Sequence, residues 1–167
     1  MIPHPDSQNL VANCAVITVS DTRTPQSDRS GQIIQQLLQT AGHQILTYTI
    51  VKDEPSAIQD LLDYLEHQFA LEVIIFSGGT GIAPRDTTYD VVSAWLTKTI
   101  PGFGEIFRHL SYQEIGSRAM SSRAIAGVRS NKLVFSLPGS ANAVELAMSK
   151  LILPELNHLI KQVQGIQ

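Results

Sequence analysis

Near its middle the chain contains Val73-Ile74-Ile75-Phe76-Ser77-Gly78-Gly79-Thr80-Gly81, an apolar run that passes directly into a glycine-rich loop. A run of β-branched and aromatic residues without polar alternation predicts a strand that is buried on both faces. Such strands occur in parallel sheets that are covered by helices. The stretch therefore predicts an α/β fold in which the loop joins a buried strand to a following helix.

The residues before this stretch predict two further strands, each followed by a helix. The strands cover residues 14–20 and 45–51. The first helix ends at Gly42, and the second begins near Pro55, where the missing N–H costs little. Their apolar positions recur at helical spacing and are Ile33, Ile34, Leu37, Leu38 and Ala41 in the first, and Ile58, Leu61, Leu62, Leu65 and Phe69 in the second. The order β-α-β-α-β implies parallel strands joined by right-handed crossovers.

The residues after the stretch are less regular. We predict helices over 86–97 and 103–115, a buried strand over 133–137, and a long C-terminal helix that Pro154 kinks or divides. The apolar face of the second of these helices consists of Phe103, Ile106, Phe107, Leu110 and Ile115. With no internal repeat or linker, the chain is predicted to form a single three-layer αβα domain, residues 12–167, with a doubly wound, mostly parallel sheet. A flexible N-terminal arm, residues 1–11, is predicted to precede it.

The composition excludes several classes of protein. The chain has 167 residues, 43% of them hydrophobic and 16% charged, which is typical of one globular domain. Its net charge of −3 and the lack of a Lys/Arg cluster argue against nucleic-acid and anionic-membrane partners. A single cysteine, Cys14, rules out a disulfide framework. No signal peptide or membrane-spanning stretch is evident, so we expect a cytoplasmic protein.

Polar segments follow three of the predicted strands. They are Ser20-Asp21-Thr22-Arg23, the residues from Ser77 to Asp86, and Pro138-Gly139-Ser140. In open α/β sheets, ligands bind in the crevice beyond the carboxyl ends of the strands. Because parallel strands end at the same edge of the sheet, we expect these three segments to converge on one ligand.

The glycine loop predicts a site for an anion, such as a phosphate. Its glycines allow a positive φ and let backbone N–H groups turn toward a ligand, while Ser77 and Thr80 add hydroxyl donors. The loop lacks the Gly-Lys-Ser/Thr of a Walker motif, and it lacks the Gly-x-Gly-x-x-Gly pattern that is typical of dinucleotide binding. The alternative is a plain tight turn between a strand and a helix.

Carboxylates near this loop have two interpretations. Asp86 follows Gly81 by five residues, and a carboxylate beside a phosphate is best explained as a magnesium ligand, since it would otherwise repel the anion. The alternative is that Asp86 caps the next helix. Asp53 has a similar alternative, as the cap of the helix that begins near Pro55. Ser140 can cap the last helix while neighbouring N–H groups face a ligand.

Arginines are the natural cationic partners of a phosphorylated ligand. The candidates are Arg23, Arg85, Arg118 and Arg123. Surface or interface arginines are the alternative interpretation. The five histidines are scattered without the spacing of a metal site, and none is assigned a role.

Together these segments resemble a known family. Ser77-Gly78-Gly79-Thr80-Gly81 with Arg85-Asp86 resembles the signature of the MogA/MoaB molybdopterin-binding family. Matching segments in the same order are Thr18-Val19-Ser20-Asp21-Thr22-Arg23, Asp28-x-Ser30-Gly31, Pro101-Gly102-Phe103-Gly104-Glu105-Ile106-Phe107-Arg108 and Leu137-Pro138-Gly139-Ser140. The resemblance covers nearly all of residues 13–160, and the wording of the central segment favours the MoaB branch.

The resemblance implies a role in molybdenum cofactor biosynthesis. Enzymes of the family transfer AMP from Mg-ATP to molybdopterin, giving adenylylated molybdopterin and pyrophosphate. By motif position, Asp53 and Asp86 match the functional carboxylates and would bind Mg²⁺. The implied binding residues are Ser20, Ser77, Gly78, Gly79, Thr80, Gly81, Pro138, Gly139 and Ser140. A homo-oligomer, trimer or hexamer, is also implied, and other proteins of the pathway are further candidate partners.

One departure and three alternatives accompany this resemblance. Where the family often has a Thr-Pro-Glu-like segment, this chain has Thr87-Thr88-Tyr89-Asp90, so the carboxylate of Asp90 is one methylene shorter. One alternative function is a noncatalytic molybdopterin-binding or scaffold protein. A nucleotide hydrolase on the same sheet is another. The amphipathic segment 103–127 either forms a subunit contact or packs in the core.

Overall fold

A computed structural model describes residues 10–166, so most of the predicted N-terminal arm lies outside the described residues. The strands are β1 (Asn13–Val19), β2 (Gln44–Val51), β3 (Val73–Ser77), β4 (Lys98–Thr99), β5 (Ile125–Arg129) and β6 (Lys132–Leu137). The helices are α1 (Arg29–Thr40), α2 (Pro55–Glu66), α3 (Thr88–Trp95), α4 (Pro101–Ile115), α5 (Ala141–Ala147) and α6 (Leu153–Gln164). A 3₁₀ segment (Gly116–Ser121) follows α4, and a π-helical turn (Met148–Ile152) joins α5 to α6.

The strands form one six-stranded sheet in the order β2-β1-β3-β6-β5-β4. The four strands β2, β1, β3 and β6 are parallel, which confirms the predicted mostly parallel sheet. The remaining two, β5 and β4, add to it in antiparallel fashion. Ser130 and Asn131 both have positive φ in the tight turn that joins β5 to β6. The sequence analysis missed β4 and β5, because they are short and lack an Asn-Gly or Asp-Gly turn signal.

Two apolar cores lie on the two faces of the sheet, which confirms the three-layer architecture. Val73 and Ile75 of β3 pack on one side with apolar residues of α1, α4, α5 and α6. Ile74 and Phe76 pack on the other side with residues of α2 and α3. Alternate side chains of one strand enter opposite layers, so β3 has to be apolar throughout.

Three predicted core positions are wrong. Phe69 is 98% exposed because α2 ends at Glu66, so the spacing that made it part of the stripe no longer applies. Ile106 and Ile115 are also exposed. The predicted Phe103 and Phe107 do face the core, and Ser111, four residues further along α4, is buried with them although it was not predicted.

The long C-terminal helix is divided, as Pro154 predicts. Pro154 occupies the first turn of α6, directly after the π-helical turn. A proline ring removes one N–H and clashes with the preceding turn, so a wider turn at this point is a physically expected response. None of the helices between residues 10 and 166 has the length and apolar character needed to cross a membrane.

A fully buried carboxylate joins the first two strands to the first helix. One oxygen of Asp28 accepts a hydrogen bond from the N–H of Gly31 at 3.0 Å, which caps α1. The other accepts from the hydroxyls of Thr18 at 2.6 Å and Tyr48 at 2.7 Å. Burial, followed by the hydrogen bond to Asp28, raises the pKa of Tyr48 to about 12, so its hydroxyl stays a donor. Asp28 therefore holds β1, β2 and α1 together beside the carboxyl edge of the sheet.

We expect Asp28→Ala to lower the free energy of unfolding by about 3 kcal/mol, because it removes a helix cap and the carboxylate that accepts from the hydroxyls of Thr18 and Tyr48. The measurement is urea unfolding followed by circular dichroism. Asp60→Ala, at an exposed position of α2, is the control and should change stability by less than about 0.5 kcal/mol. Equal effects of the two substitutions would contradict the structural role of Asp28.

Candidate functional site

The loops that follow β1, β3 and β6 converge at the carboxyl edge of the sheet, as predicted. Gly78 has φ +107°, and its N–H donates to the carbonyl of Leu137 at 2.9 Å. A Cβ on Gly78 would overlap the carbonyl oxygen of Val19, and a Cβ on Gly139 would lie 3.2 Å from the Cα of Gly78. The segments approach so closely that glycine is required at this point.

A cleft of about 340 Å³ opens beside this point of convergence. One wall is polar and consists of the glycine loop, Asp86 and Pro138-Gly139-Ser140. The opposite wall comes from α4 and the 3₁₀ segment and includes Phe107, Ser111, Ile115, Arg118, Ala119, Ser121 and Ser122. The cleft thus combines a phosphate-sized polar end with a partly apolar wall that suits a ring system.

The glycine loop has unpaired amide donors. In the part of the chain that the structure describes, the N–H groups of Gly79, Thr80 and Gly81 have no hydrogen-bond acceptor. Gly79 also has a positive φ, +65°. Unpaired amides that line a cleft are suited to an anion, since a ligand oxygen can satisfy several of them together.

Asp86 lies against this loop and does not cap a helix. Its Oδ2 accepts from the N–H of Ala83 at 2.9 Å, and a Cβ on Gly81 would lie 2.5 Å from the same oxygen. The N-cap of α3 is Thr87, without a side-chain hydrogen bond. The capping interpretation of Asp86 is therefore wrong. Its Oδ1 accepts no hydrogen bond from the described residues.

Asp53 lies on the other side of the loop. Its Oδ1 accepts from the N–H of Thr87 at 3.1 Å and from the Thr87 hydroxyl at 2.7 Å. A Cβ on Gly79 would lie 2.5 Å from Oδ2 of Asp53. The interpretation that Asp53 caps α2 is wrong, because the N-cap there is Glu54, without a side-chain bond. Asp53 instead fixes the chain just before α3.

The two carboxylates fit a magnesium ion that is shared with a ligand. Residues 10–166 contain no group of three or more His, Cys, Asp or Glu that could hold a metal without a ligand. Mg²⁺ is commonly bound by one or two carboxylates together with substrate phosphates and water. Oδ2 of Asp53 and Oδ1 of Asp86 are unpaired oxygens beside the loop whose amides are free. This donor set suits that kind of site.

Three predicted site residues do not line the cleft: Ser77, Ser20 and Asp53, the last of which lies beside Gly79. Ser77 is fully buried at the end of β3, where its hydroxyl lies 3.4 Å from that of Thr18. The hydroxyl of Ser20 accepts from the N–H groups of Thr22 and Arg23 and borders a separate surface depression. Both hydroxyls are engaged within the protein and neither borders the cleft, so a role of Ser77 or Ser20 in ligand binding stays a prediction. Ser140 does line it, and its hydroxyl caps α5 by accepting from the N–H of Ala143 at 3.3 Å.

The four candidate arginines have different environments. Arg118 lines the cleft. Arg85 forms an ion pair with Asp21, and Arg23 donates to the carbonyl of Ser27 at 3.0 Å. Arg123 lies behind the glycine loop and pairs with Asp90. Sequence reasoning missed this pair and the apolar wall, because only the folded chain brings α3, α4 and the 3₁₀ segment beside the loop.

Comparisons with known proteins show which family this chain is similar to. A family model described as a probable molybdopterin binding domain matches residues 15–158. Molybdenum cofactor biosynthesis protein B of Halalkalibacterium halodurans is 53% identical over 151 residues, which are 90% of this chain and 89% of that protein.

Two solved structures of proteins of this kind are also similar to the chain over most of its length. A crystal structure of a molybdenum cofactor biosynthesis protein B is 49% identical, with a TM-score of 0.91 over 95% of this chain and 99% of the other. The tungsten cofactor synthesizing protein MoaB from Pyrococcus furiosus is 34% identical, with a TM-score of 0.80 over 92% of this chain and 98% of that one.

Gly79→Ala should disable the loop, because the new Cβ would overlap the hydroxyl of Thr88 and crowd Asp53. We expect affinity for inorganic pyrophosphate, with Mg²⁺ present, to fall at least about tenfold, the equivalent of one lost charge-assisted hydrogen bond. Isothermal titration calorimetry gives this affinity. Gly42→Ala is the control, since Gly42 also has a positive φ but has nothing within 4 Å of a Cβ. An unchanged affinity in Gly79→Ala would contradict anion binding by the loop.

Proposed function

Since this chain belongs to the molybdopterin-binding domain family, whose model spans residues 15–158, we propose that it transfers AMP from Mg-ATP to molybdopterin. The chain takes part in molybdenum cofactor biosynthesis through a MoaB-like domain. The observation that supports the transfer reaction is the pair of carboxylates, Asp53 and Asp86, on either side of three unpaired loop amides. A site of this kind suits a magnesium-bound polyphosphate.

The reaction forms one bond and breaks one bond. An oxygen of the terminal phosphate of molybdopterin attacks the α-phosphorus of ATP, and the bond between that phosphorus and the bridging oxygen to the β-phosphate breaks. The products are adenylylated molybdopterin and pyrophosphate. The attacking oxygen already carries negative charge, so the step needs no general base. It needs alignment and neutralisation of charge.

Residues that line the cleft, together with Asp53 beside Gly79, would supply those two requirements. The amides of Gly79, Thr80 and Gly81 donate to phosphate oxygens, and Arg118 adds positive charge on the opposite wall. Asp53 and Asp86 would hold Mg²⁺, which supplies charge screening between the two phosphorylated substrates when bound. Ile115 provides an exposed apolar surface for a ring, while Phe107, which also borders the cleft, is almost fully buried beneath it in the core.

The proposal includes a homo-oligomer, a trimer or a hexamer. The predicted segment 103–127 would form the contact between subunits. Besides Ile115 of the cleft, three large apolar side chains of α4 and the 3₁₀ segment are exposed: Ile106 by 51%, Tyr112 by 62% and Met120 by 84%. Large apolar residues exposed on one segment are typical of subunit contacts.

Multi-angle light scattering should therefore give three or six times the chain mass of 18.3 kDa. Met120→Glu should lower that mass, because a buried charge opposes association. Phe69→Glu is the control, since Phe69 is equally exposed but lies outside the segment. A wild-type mass of a single chain would rule out the oligomer.

A single-turnover assay tests the transfer reaction. Purified protein is mixed with fresh molybdopterin and Mg-ATP, and adenylylated product is separated by chromatography. Asp86→Asn should reduce the rate about 100-fold or more, because it removes a charged ligand of the metal, with little change in molybdopterin affinity. Asp60→Asn, at an exposed position outside the cleft, should react at the wild-type rate.

Other results would point to other functions. Tight molybdopterin binding without product would show a noncatalytic binding or scaffold protein. ATP turnover without any pterin would indicate a nucleotide hydrolase. Equal rates for Asp86→Asn and wild type would exclude Asp86 as a magnesium ligand.

A further inference from the structure

One arginine side chain holds the C-terminal end of the glycine loop from the side away from the cleft. Nε of Arg123 donates to the carbonyls of Thr80 at 3.3 Å and Gly81 at 3.0 Å. Nη2 donates to the carbonyls of Gly81 at 2.7 Å and Asp86 at 3.0 Å. The guanidinium also lies 4.7 Å from the ring centroid of Tyr89. Arg123 itself does not line the cleft.

Asp90 holds this arginine in place. Nη1 of Arg123 donates to both carboxylate oxygens of Asp90, at 2.9 and 3.1 Å. The arginine side chain is 27% exposed, so part of it is shielded from solvent by the loop that it contacts. Because Asp90 neutralises its charge, the guanidinium stays behind the loop and does not itself bind the phosphate ligand.

The rigid peptide plane converts these carbonyl contacts into an orientation of the amides. In a trans peptide the C=O of one residue and the N–H of the next point in opposite directions, and the described chain has no cis peptide bond. The carbonyl of Thr80 faces Arg123, so the N–H of Gly81 faces the opposite side of the loop, where the cleft lies. The carbonyl of Gly79 accepts from the N–H of Tyr89, which turns the N–H of Thr80 in the same way.

We propose that Arg123, held by Asp90, is a positioning residue that fixes the C-terminal end of the glycine loop and so aims the N–H of Gly81 at a phosphate of the substrate. The proposal rests on the proposed adenylyl transfer for its effect on rate, but not for its effect on anion binding. It also assigns a role to the short carboxylate of Asp90, which is to fix the arginine. Only a planar group with several donors can contact three carbonyls and a carboxylate together, so lysine cannot replace arginine here.

A second arginine provides a matched control. Arg129 pairs with Glu66 through Nε at 2.8 Å and Nη2 at 3.3 Å. It also donates to the carbonyl of Trp95 at 3.2 Å and lies 5.4 Å from the centroid of that ring. The interactions are of the same kinds as those of Arg123, but neither Arg129 nor its partners line the cleft. Arg129→Lys therefore measures the cost of losing such an arrangement where no ligand is held.

The experiment compares Arg123→Lys, Arg129→Lys and wild type in three measurements: urea unfolding, calorimetric affinity for Mg-pyrophosphate, and kcat and KM for ATP in the adenylylation assay. Both substitutions keep the charge and lose the planar group. We expect similar losses of stability, but only Arg123→Lys should lower pyrophosphate affinity and kcat, each by about tenfold. Millimolar guanidinium should partly restore kcat in Arg123→Ala and have no such effect on Arg129→Ala.

The outcomes separate the two proposals. If Arg123→Lys keeps the pyrophosphate affinity of Arg129→Lys, the pair with Asp90 is only a stabilising contact, and the positioning role is overturned. If wild-type protein binds pyrophosphate but makes no adenylylated product, adenylyl transfer fails. In that case the affinities of the two variants still decide whether Arg123 positions the loop.

Discussion

Three parallel strands end so close together that only glycine fits where their loops meet. A Cβ on Gly78 would overlap the carbonyl oxygen of Val19, and a Cβ on Gly139 would lie 3.2 Å from the Cα of Gly78. A side chain at Gly78 would push the loops apart, and one at Gly139 would require a small shift of the neighbouring backbone. The cleft, the free amides of the loop and the carboxylates beside them all depend on this close approach.

The charged side chains around this point fall into two groups, those paired within the protein and those with an unpaired oxygen. Arg85 is neutralised by Asp21, and Arg123 by Asp90, so these two arginines are engaged within the protein. Asp53 and Asp86 each keep an unpaired oxygen beside amides that favour anions. Carboxylates and a phosphate share such a space only if a cation lies between them. The proposed reaction of molybdopterin with Mg-ATP would require an arrangement of this kind.

The sequence was sufficient for the parallel part of the fold and for the loops at its edge. Buried strands such as Val73–Ser77 are recognised by their continuous apolar residues, and the order of elements then determines that their ends meet. It was not sufficient for β4 and β5, short segments that depend on pairing: β5 pairs with β6, and β4 pairs with β5. Nor did it exclude Ser77 from the cleft, because the direction of a side chain depends on where the strand ends. The hydrogen bonds of Arg123 join segments that are distant in sequence, so no local pattern indicates them.

An anomalous difference map would show most directly whether Asp53 and Asp86 hold a metal together with a nucleotide. The crystal would be grown with Mn²⁺ in place of Mg²⁺ and with an ATP analogue that has a methylene group between its α- and β-phosphates. We expect a manganese peak in contact with Asp53, Asp86 and the phosphates, and phosphate oxygens within hydrogen-bond distance of the amides of Gly79–Gly81. Nucleotide bound in the cleft without manganese at these carboxylates, or bound away from the glycine loop, would contradict this assignment.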